Sequence, residues 1–276
     1  LGRVLAGAGV VAHVAHEVVR GLAQDRLPLG NMFEVTSLMA LVGVAGGLWY
    51  LRSRRRPELE GFVLLGGVLL LGLALLMYAE PGPLMPILTT WWRTFHVSLL
   101  VGGMGVFAAG FLFTALYLLR VRADGDGRSD GDGSGGAALP TRSVDRPDAG
   151  HPDGGGGLAV AVRSAADVAV ARARIPAGRL AAGTFLGAST VSWVWAVALE
   201  PLSTGLARML TVNLALVAGA LVARWFAPYL PEADVLDGIA HRTIALAFVL
   251  WTVGTIAGAM WAEQSWGRFW GWDPKE

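Results

Sequence analysis

Long apolar stretches alternate with short polar segments along this chain. Seven of the apolar stretches have the length of a membrane-spanning helix, and they cover residues 4–20, 32–51, 60–79, 94–119, 181–200, 206–226 and 240–262. A helix rises about 1.5 Å per residue, so about 20 apolar residues cross the hydrocarbon core of a bilayer. The pattern therefore predicts an all-α, polytopic membrane protein with about seven spans.

The composition supports this class and limits the chemistry of the chain itself. Hydrophobic residues make up 54% of the 276 residues and charged residues only 16%, which is unlike an ordinary soluble domain. The chain has no cysteine, so it has no disulfide, no thiolate metal site and no thiol nucleophile of its own. Any sulfur chemistry must come from a partner. The net charge of +1 says little about partners until the charges are placed on loops, and no nucleic-acid partner is predicted.

The arginines predict the orientation of the spans. Residues 51–58 read LRSRRRPE, and nine further arginines lie between residues 120 and 179. The positive-inside rule places both segments on the cytoplasmic side, and the short loop is the stronger evidence because long loops count for less. Alternation of the spans then assigns four segments to the outer face, namely residues 21–31, 79–93, 200–203 and 261–276.

The sequence divides into four regions. Residues 1–120 contain the first four spans, and residues 121–180 are predicted to be a disordered cytoplasmic linker. Residues 122–157 hold eleven glycines with alternating aspartates and arginines, and such a segment cannot bury enough apolar surface to offset its ordering entropy. Residues 181–230 are predicted to form a two-span hairpin, and residues 231–276 hold the last span and an outer-face segment.

The closing segment WAEQSWGRFWGWDPKE, residues 261–276, has the most specific chemistry. It contains four of the eleven tryptophans and three charged side chains of interest, namely Trp261, Trp266, Trp270, Trp272, Arg268, Asp273 and Lys275. Flat apolar faces beside cations suit a flat, anionic, largely apolar ligand such as haem, whose propionates can meet Arg268 or Lys275. The alternative is an aromatic belt with a positive rim, which explains two tryptophans more easily than four.

His96 is the best candidate for an axial ligand of haem iron. It follows Trp91, Trp92 and Arg93 at the predicted outer end of the fourth span, where an imidazole can reach a ligand bound at the membrane surface. The alternative is a histidine that reaches to the interface among belt aromatics. The residues alone do not separate the two.

The remaining candidates have structural explanations of their own. His13 and His16 lie within the first span, where ionisable groups are costly, but both are near its end and are interpreted as structural. The same interpretation holds for His241 at the cytoplasmic start of the last span. Asn31 and Glu34 have the spacing of a helix N-cap and its reciprocal carboxylate, although Glu34 at the mouth of a cavity shared with His96 is the alternative.

Four motifs, LPLGNMFE, WWRTFHVS, LDGIAHRTIALAF and the closing segment, resemble those of the WWD-domain haem-handling proteins, in particular the channel subunit of the system II cytochrome c synthase. The resemblance covers residues 1–120 and 231–276. It implies a multi-pass protein of the bacterial plasma membrane whose closing segment is an external platform for haem b. It also implies that two outer histidines ligate the iron and that His96 is the first of them.

The sequence departs from that family in several places. Phe33 stands where the family has a tyrosine, and His241 stands where an aromatic residue is expected. The linker and the hairpin within residues 121–230 look inserted. The second outer histidine and a further membrane histidine follow the tryptophan-rich motif in the family, so both are expected beyond Glu276.

The predicted function is cytochrome c maturation by binding haem and presenting it at the outer face. Haem vinyl groups would then form thioethers with the CxxCH cysteines of apocytochrome c, with a second membrane subunit and membrane lipid as further partners. No catalytic acid, base or nucleophile is evident, so the contribution of the chain would be positioning. The alternatives are an intramembrane haem transporter or electron-transfer subunit that uses His13 or His16, and a structural scaffold.

Overall fold

The computed structural model describes residues 1–84, 88–124, 176–198 and 202–269, with backbone only for residues 190–198, 202 and 203. Within these ranges the chain forms seven α-helices: α1 Gly2–Gln24, α2 Met32–Ser53, α3 Glu60–Leu76, α4 Trp91–Asp124, α5 Ala177–Ala198, α6 Leu202–Phe226 and α7 Ala233–Trp266. Short 3₁₀ turns, Pro57–Leu59 and Ala227–Tyr229, precede α3 and follow α6. The predicted all-α class is confirmed, and each predicted span corresponds to one helix.

Five of the seven described helices are long and apolar enough to cross a membrane, and α1 and α5 do not reach that combination of length and hydropathy within the described residues. In α1 the charged residues Arg3, Glu17 and Arg20 lower the mean hydropathy. The buried positions of α1 include Glu17 and Arg20, so these two charged side chains face the protein, whereas Arg3 is exposed.

Local sequence explains where the helices begin and end. The side-chain oxygen of Asn31 accepts a hydrogen bond of 2.9 Å from the backbone N–H of Glu34, so the predicted N-cap of α2 is confirmed. At the other end of the chain, Gly267 adopts a left-handed conformation with φ 69° and ends α7. Its N–H donates to the carbonyl oxygen of Glu263 over 2.7 Å.

The helices α4 and α7 pack antiparallel and form the most extensive helix pair. Glycines of α4 allow this close approach: a Cβ at Gly103 would lie 3.1 Å from the backbone of Trp251, and one at Gly110 would lie 2.8 Å from the side chain of Ile244. Small residues at such contacts let two helix backbones come together in a membrane. The pair therefore holds residues of the fourth and last spans in a fixed register.

The largest buried apolar side chains lie toward the end of the bundle that the arginines predict to be cytoplasmic. Leu51, Leu59, Leu116 and Leu236 are fully buried there, together with Phe113. At the same end Arg3 and Arg52 both pair with Glu60, at 3.1 and 3.6 Å. The loops assigned to one side of the membrane thus meet at one end of the structure, as the alternation of spans requires.

The linker prediction for residues 121–180 falls largely outside the described residues, since α4 continues to Asp124 and the description resumes at residue 176. The hairpin within residues 181–230 corresponds to α5 and α6, which pack against each other. The hydroxyl of Ser189 on α5 donates to the amide oxygen of Asn213 on α6 over 3.3 Å. Whether this hairpin is an insertion stays a prediction.

Candidate functional site

His96 lies one and a half turns into α4, where its half-buried imidazole packs against α7. The distance from its Nδ1 to the carbonyl oxygen of Gly254 is 2.7 Å. A carbonyl oxygen only accepts hydrogen bonds, so Nδ1 must carry the proton. Nε2 of the neutral ring then keeps its lone pair. A backbone carbonyl that fixes the tautomer in this way is a common partner of histidines that bind metals through the other nitrogen.

One face of α7 receives this imidazole. A Cβ at Gly258 would lie 2.5 Å from His96 Nδ1, so only glycine leaves room for the ring at this position. One turn further along, the indole of Trp261 lies nearly parallel to the imidazole, with ring centroids 6.3 Å apart and an interplanar angle of 18°. We call His96, Gly254, Gly258 and Trp261 the histidine face.

The two glycines of the histidine face were not singled out in the sequence. Gly254 and Gly258 are four residues apart within an apolar span, which is the small-xxx-small spacing that allows close helix approach. That spacing predicts a packing surface but does not identify its partner. The link to His96, 158 residues earlier in the chain, appears only in the tertiary structure.

The tryptophan-rich segment is described as far as Phe269. Trp266 packs edge-on against Trp261 with centroids 4.9 Å apart, and it is half exposed. Arg268 and Phe269 are also exposed. The other predicted haem-binding residues, Trp270, Trp272, Asp273 and Lys275, lie outside the described residues. The structure therefore places Trp261 and Trp266 beside His96, and the haem-binding role of all seven residues stays a prediction.

A second aromatic group covers the end of α4 that is predicted to face outward. Trp91 and Trp92 have ring centroids 4.5 Å apart, and Phe95 lies 5.5 Å from Trp91. Trp91 is 62% exposed and Phe95 is 39% exposed. Exposed aromatic rings at the end of a span are typical of the membrane interface. This group surrounds the start of α4 without contributing a described contact to the imidazole of His96.

Four charged side chains form a separate group at the same end of the bundle, and we call Arg20, Arg26, Glu34 and Arg93 the outer network. The fully buried carboxylate of Glu34 accepts from Arg20 Nε at 3.0 Å and from Arg26 Nη1 at 3.1 Å. It also accepts from the backbone N–H of Gly30 at 2.6 Å. Glu34 thus donates its N–H to the Asn31 cap of α2 and pairs with arginines through its carboxylate.

The arginines of the outer network also hold loop backbones. Arg93 donates to the carbonyl oxygen of Leu29 over 2.5 Å, and Arg20 donates to that of Ala79 over 2.6 Å. Arg26 donates to the carbonyl oxygen of Gly82 over 3.2 Å. These bonds join the loop after α1 to the loop after α3 and to the start of α4. No contact between Glu34 and His96 is present among the described residues.

The other described histidines have different surroundings. His13 Nε2 lies 3.0 Å from Ser37 Oγ and 3.4 Å from a carboxylate oxygen of Glu17. His16 packs edge-on against Phe33 with centroids 6.1 Å apart. His241 is exposed on α7. Among the described residues, no three His, Cys, Asp or Glu side chains are grouped as ligands for a metal ion.

Comparison with known proteins identifies the family. The profile described as cytochrome c assembly protein matches residues 29–276, which is most of the chain. This chain belongs to the cytochrome c assembly protein family. The resemblance that was drawn from the four motifs is therefore confirmed at the level of the family, and the chain is a multi-pass membrane protein of that family.

Curated relatives in the cytochrome c assembly family share different lengths of the chain. The cytochrome c biogenesis protein CcsA of Gloeobacter violaceus is 26% identical over 261 residues, which are 93% of this chain and 64% of that relative. The chain thus spans less than two thirds of that protein's length. CcsA of Synechococcus elongatus is 57% identical over 44 residues, which are 16% of this chain and 14% of that relative. CcsA of Gloeothece citriformis is 59% identical over 44 residues, which are 16% of this chain and 13% of that relative. No solved structure matches the chain.

Proposed function

We propose that this chain binds haem b at the outer face of the bacterial plasma membrane and presents it for attachment to apocytochrome c. His96 supplies one axial nitrogen, and the tryptophans beside it supply an apolar surface for the porphyrin. The observation that carries the proposal is the 2.7 Å hydrogen bond from His96 Nδ1 to the carbonyl oxygen of Gly254. It leaves Nε2 as a lone-pair donor of the kind that ligates haem iron.

The surroundings of His96 support a flat apolar ligand. Trp261 stacks beside the imidazole, and Trp266 extends the aromatic surface toward solvent. Arg268 follows on the exposed side, where its guanidinium can meet a propionate. Trp270, Trp272, Asp273 and Lys275 complete the platform in the proposal, on the basis of the sequence motif.

The residues of the chain bind and orient the haem, and the thiols come from a partner. When haem is bound, its vinyl groups accept the S–H groups of the two CxxCH cysteines, so that each thioether forms by addition without loss of an atom. The chain has no cysteine that could compete for those vinyl groups. Rate acceleration would then come from holding the vinyl carbons beside the incoming thiols.

The proposed partners follow from this chemistry and from the family. Apocytochrome c is the acceptor of the haem, and a second membrane subunit completes the synthase. Membrane lipid surrounds the exposed apolar faces of the spans.

Replacement of His96 by glycine in the full-length protein tests the proposal. The variant loses one iron ligand and gains a cavity of about imidazole size, so we expect the haem Soret band and cytochrome c maturation to be lost. Added imidazole should restore part of both, because a small neutral base can coordinate the iron in place of the side chain. His241→Gly is the matched control and should keep both without imidazole.

The intramembrane alternative predicts the opposite pattern. If His96→Gly keeps a normal spectrum and normal maturation while His13→Gly or His16→Gly loses both, the iron does not bind at the outer end of α4. A helix-packing histidine would also differ, since loss of packing damages the fold and imidazole in solution does not repair it.

Labelling of single cysteines tests the proposed orientation, and the absence of native cysteine makes each label specific. Gln264 at the end of α7 and Leu27 in the loop after α1 lie at one end of the bundle, and Ser53 at the C-terminal end of α2 lies at the other. All three residues are exposed. Gln264→Cys and Leu27→Cys should react with a membrane-impermeant maleimide in intact cells, whereas Ser53→Cys should not. The reverse pattern would invert the topology.

A further inference from the structure

The register of α4 against α7 shows which residues lie beyond the histidine face. Gly110 contacts Ile244 and His96 contacts Gly258, so the same fourteen residues separate the contact points on both helices. Thr90 lies six residues before His96, and Gln264 lies six residues after Gly258, so the same register places Thr90 opposite Gln264. Trp261 and Ser265, one turn apart on α7, stand on either side of that level.

Three polar atoms at this level have no hydrogen-bond partner among the described residues. They are Thr90 Oγ1, Trp261 Nε1 and Ser265 Oγ, and all three are buried. By contrast, the hydroxyls of Thr252 and Thr255 on the same helix α7 donate to carbonyl oxygens one turn earlier, over 2.7 and 2.9 Å. The outer end of the α4–α7 pair therefore differs from the rest of α7.

The chemistry of these atoms indicates what would satisfy them. An indole N–H can only donate, and both hydroxyls can donate. A buried donor without an acceptor is costly, so the site favours a group that brings oxygen acceptors. The start of α4 adds free backbone N–H groups and the positive end of the helix dipole, which favour a negative charge at the same place.

We infer that Thr90, Trp261 and Ser265 form a binding site for a carboxylate of the haem. This inference rests on the proposed function and assigns to these residues a contact that Arg268 or Lys275 alone would otherwise make. Thr90 lies six residues beyond His96, or about 9 Å along a helix. That separation is comparable to the distance from the iron at the centre of a porphyrin to the propionates at its edge.

Titration of the purified full-length protein with iron protoporphyrin and with its dimethyl ester tests the inference. Both ligands have the same iron and the same apolar ring, and only the first has ionised carboxylates. We expect the diacid to bind about tenfold more tightly than the ester, which is about 1.4 kcal/mol. Thr90→Val, Ser265→Ala and Trp261→Phe should each reduce this ratio, and Thr90→Val combined with Ser265→Ala should reduce it further, leaving the contributions of Trp261 and Arg268.

Thr252→Val is the matched control, because it removes a hydroxyl of α7 that already has a partner. It should leave the ratio of the two dissociation constants unchanged. Any effect of Trp261→Phe on stacking changes both dissociation constants equally and therefore cancels in their ratio.

A ratio near one in the parent protein, or a ratio that none of the three variants changes, overturns the carboxylate site. In that case the donors are satisfied by water or by another part of the chain. The proposed function would still stand if His96→Gly weakens both ligands and imidazole restores them. A parent protein that binds neither ligand overturns the proposed function as well.

Discussion

The outer network and the histidine face lie at the same end of the bundle but differ in how many hydrogen bonds their polar groups make. In the outer network the Glu34 carboxylate accepts three hydrogen bonds, and Arg20 and Arg93 bind carbonyl oxygens of loops. In the histidine face the imidazole makes one hydrogen bond within the described part of the chain, to Gly254, and the nearby Trp261 Nε1 has no partner there.

Under the proposed function, the difference separates a scaffold from a binding site. A buried carboxylate with two arginine partners is already neutralised, so it has little remaining capacity to bind a ligand. Removal of one partner leaves an unpaired buried charge and destabilises the fold. An imidazole with one fixed nitrogen and one free nitrogen retains a defined binding capacity. We therefore assign a structural role to the charged group and, under the proposed function, the role of a site to the weakly partnered aromatic group.

The largest effect on stability should come from the outer network. Glu34→Gln removes the anion between Arg20 and Arg26, both of which are largely buried, so we expect the free energy of unfolding to fall by about 3–5 kcal/mol. Thermal unfolding of the detergent-solubilised protein measures this change. Haem affinity of the protein that remains folded should be unchanged.

Glu58→Gln is the matched control for this change. Glu58 pairs with Arg56 at 3.5 Å with both side chains about a third exposed, so its loss should cost at most about 1 kcal/mol. Equal stability of the two variants, or a selective loss of haem affinity in Glu34→Gln, would contradict the assignment of a scaffold role to the outer network.

A smaller change in free energy, specific to haem, should come from the histidine face. Gly258→Ala places a methyl group where the His96 ring lies, so the ring must move and the haem affinity should fall about tenfold, or about 1.4 kcal/mol. Absorbance titration with haem measures this loss. Gly238→Ala on the same helix is the control, because nothing lies within 4 Å of an added Cβ there. Similar affinities for the two variants would show that the imidazole is not held by Gly258.

The smallest effect should follow from a change that touches neither region. Deletion of residues 125–156 removes a segment whose glycine-rich composition predicts no packed surface, so maturation should remain largely intact. Cytochrome c yield at equal protein level is the measurement. A loss of maturation without a loss of protein would show that the segment contributes to function.

The sequence by itself determined the elements and the family. Apolar length predicted each of the seven helices, because a span must satisfy its backbone hydrogen bonds internally and must cover the hydrocarbon core. The spacing of Asn31 and Glu34 predicted the cap of α2, since a cap depends on residues close in the chain. The four motifs pointed to the cytochrome c assembly family because they combine rare residue types in a fixed order.

Only the tertiary structure decided the partners of these residues. The pairing of Glu34 with Arg20 and Arg26, rather than with His96, depends on how α1 and its loop fold back over α2. The tautomer of His96 depends on the register of α4 against α7, which brings Gly254 to the imidazole across 158 residues of chain. Periodicity shows which face of a helix is apolar, but it does not show which helix that face meets, because packing between spans is set by complementary shapes.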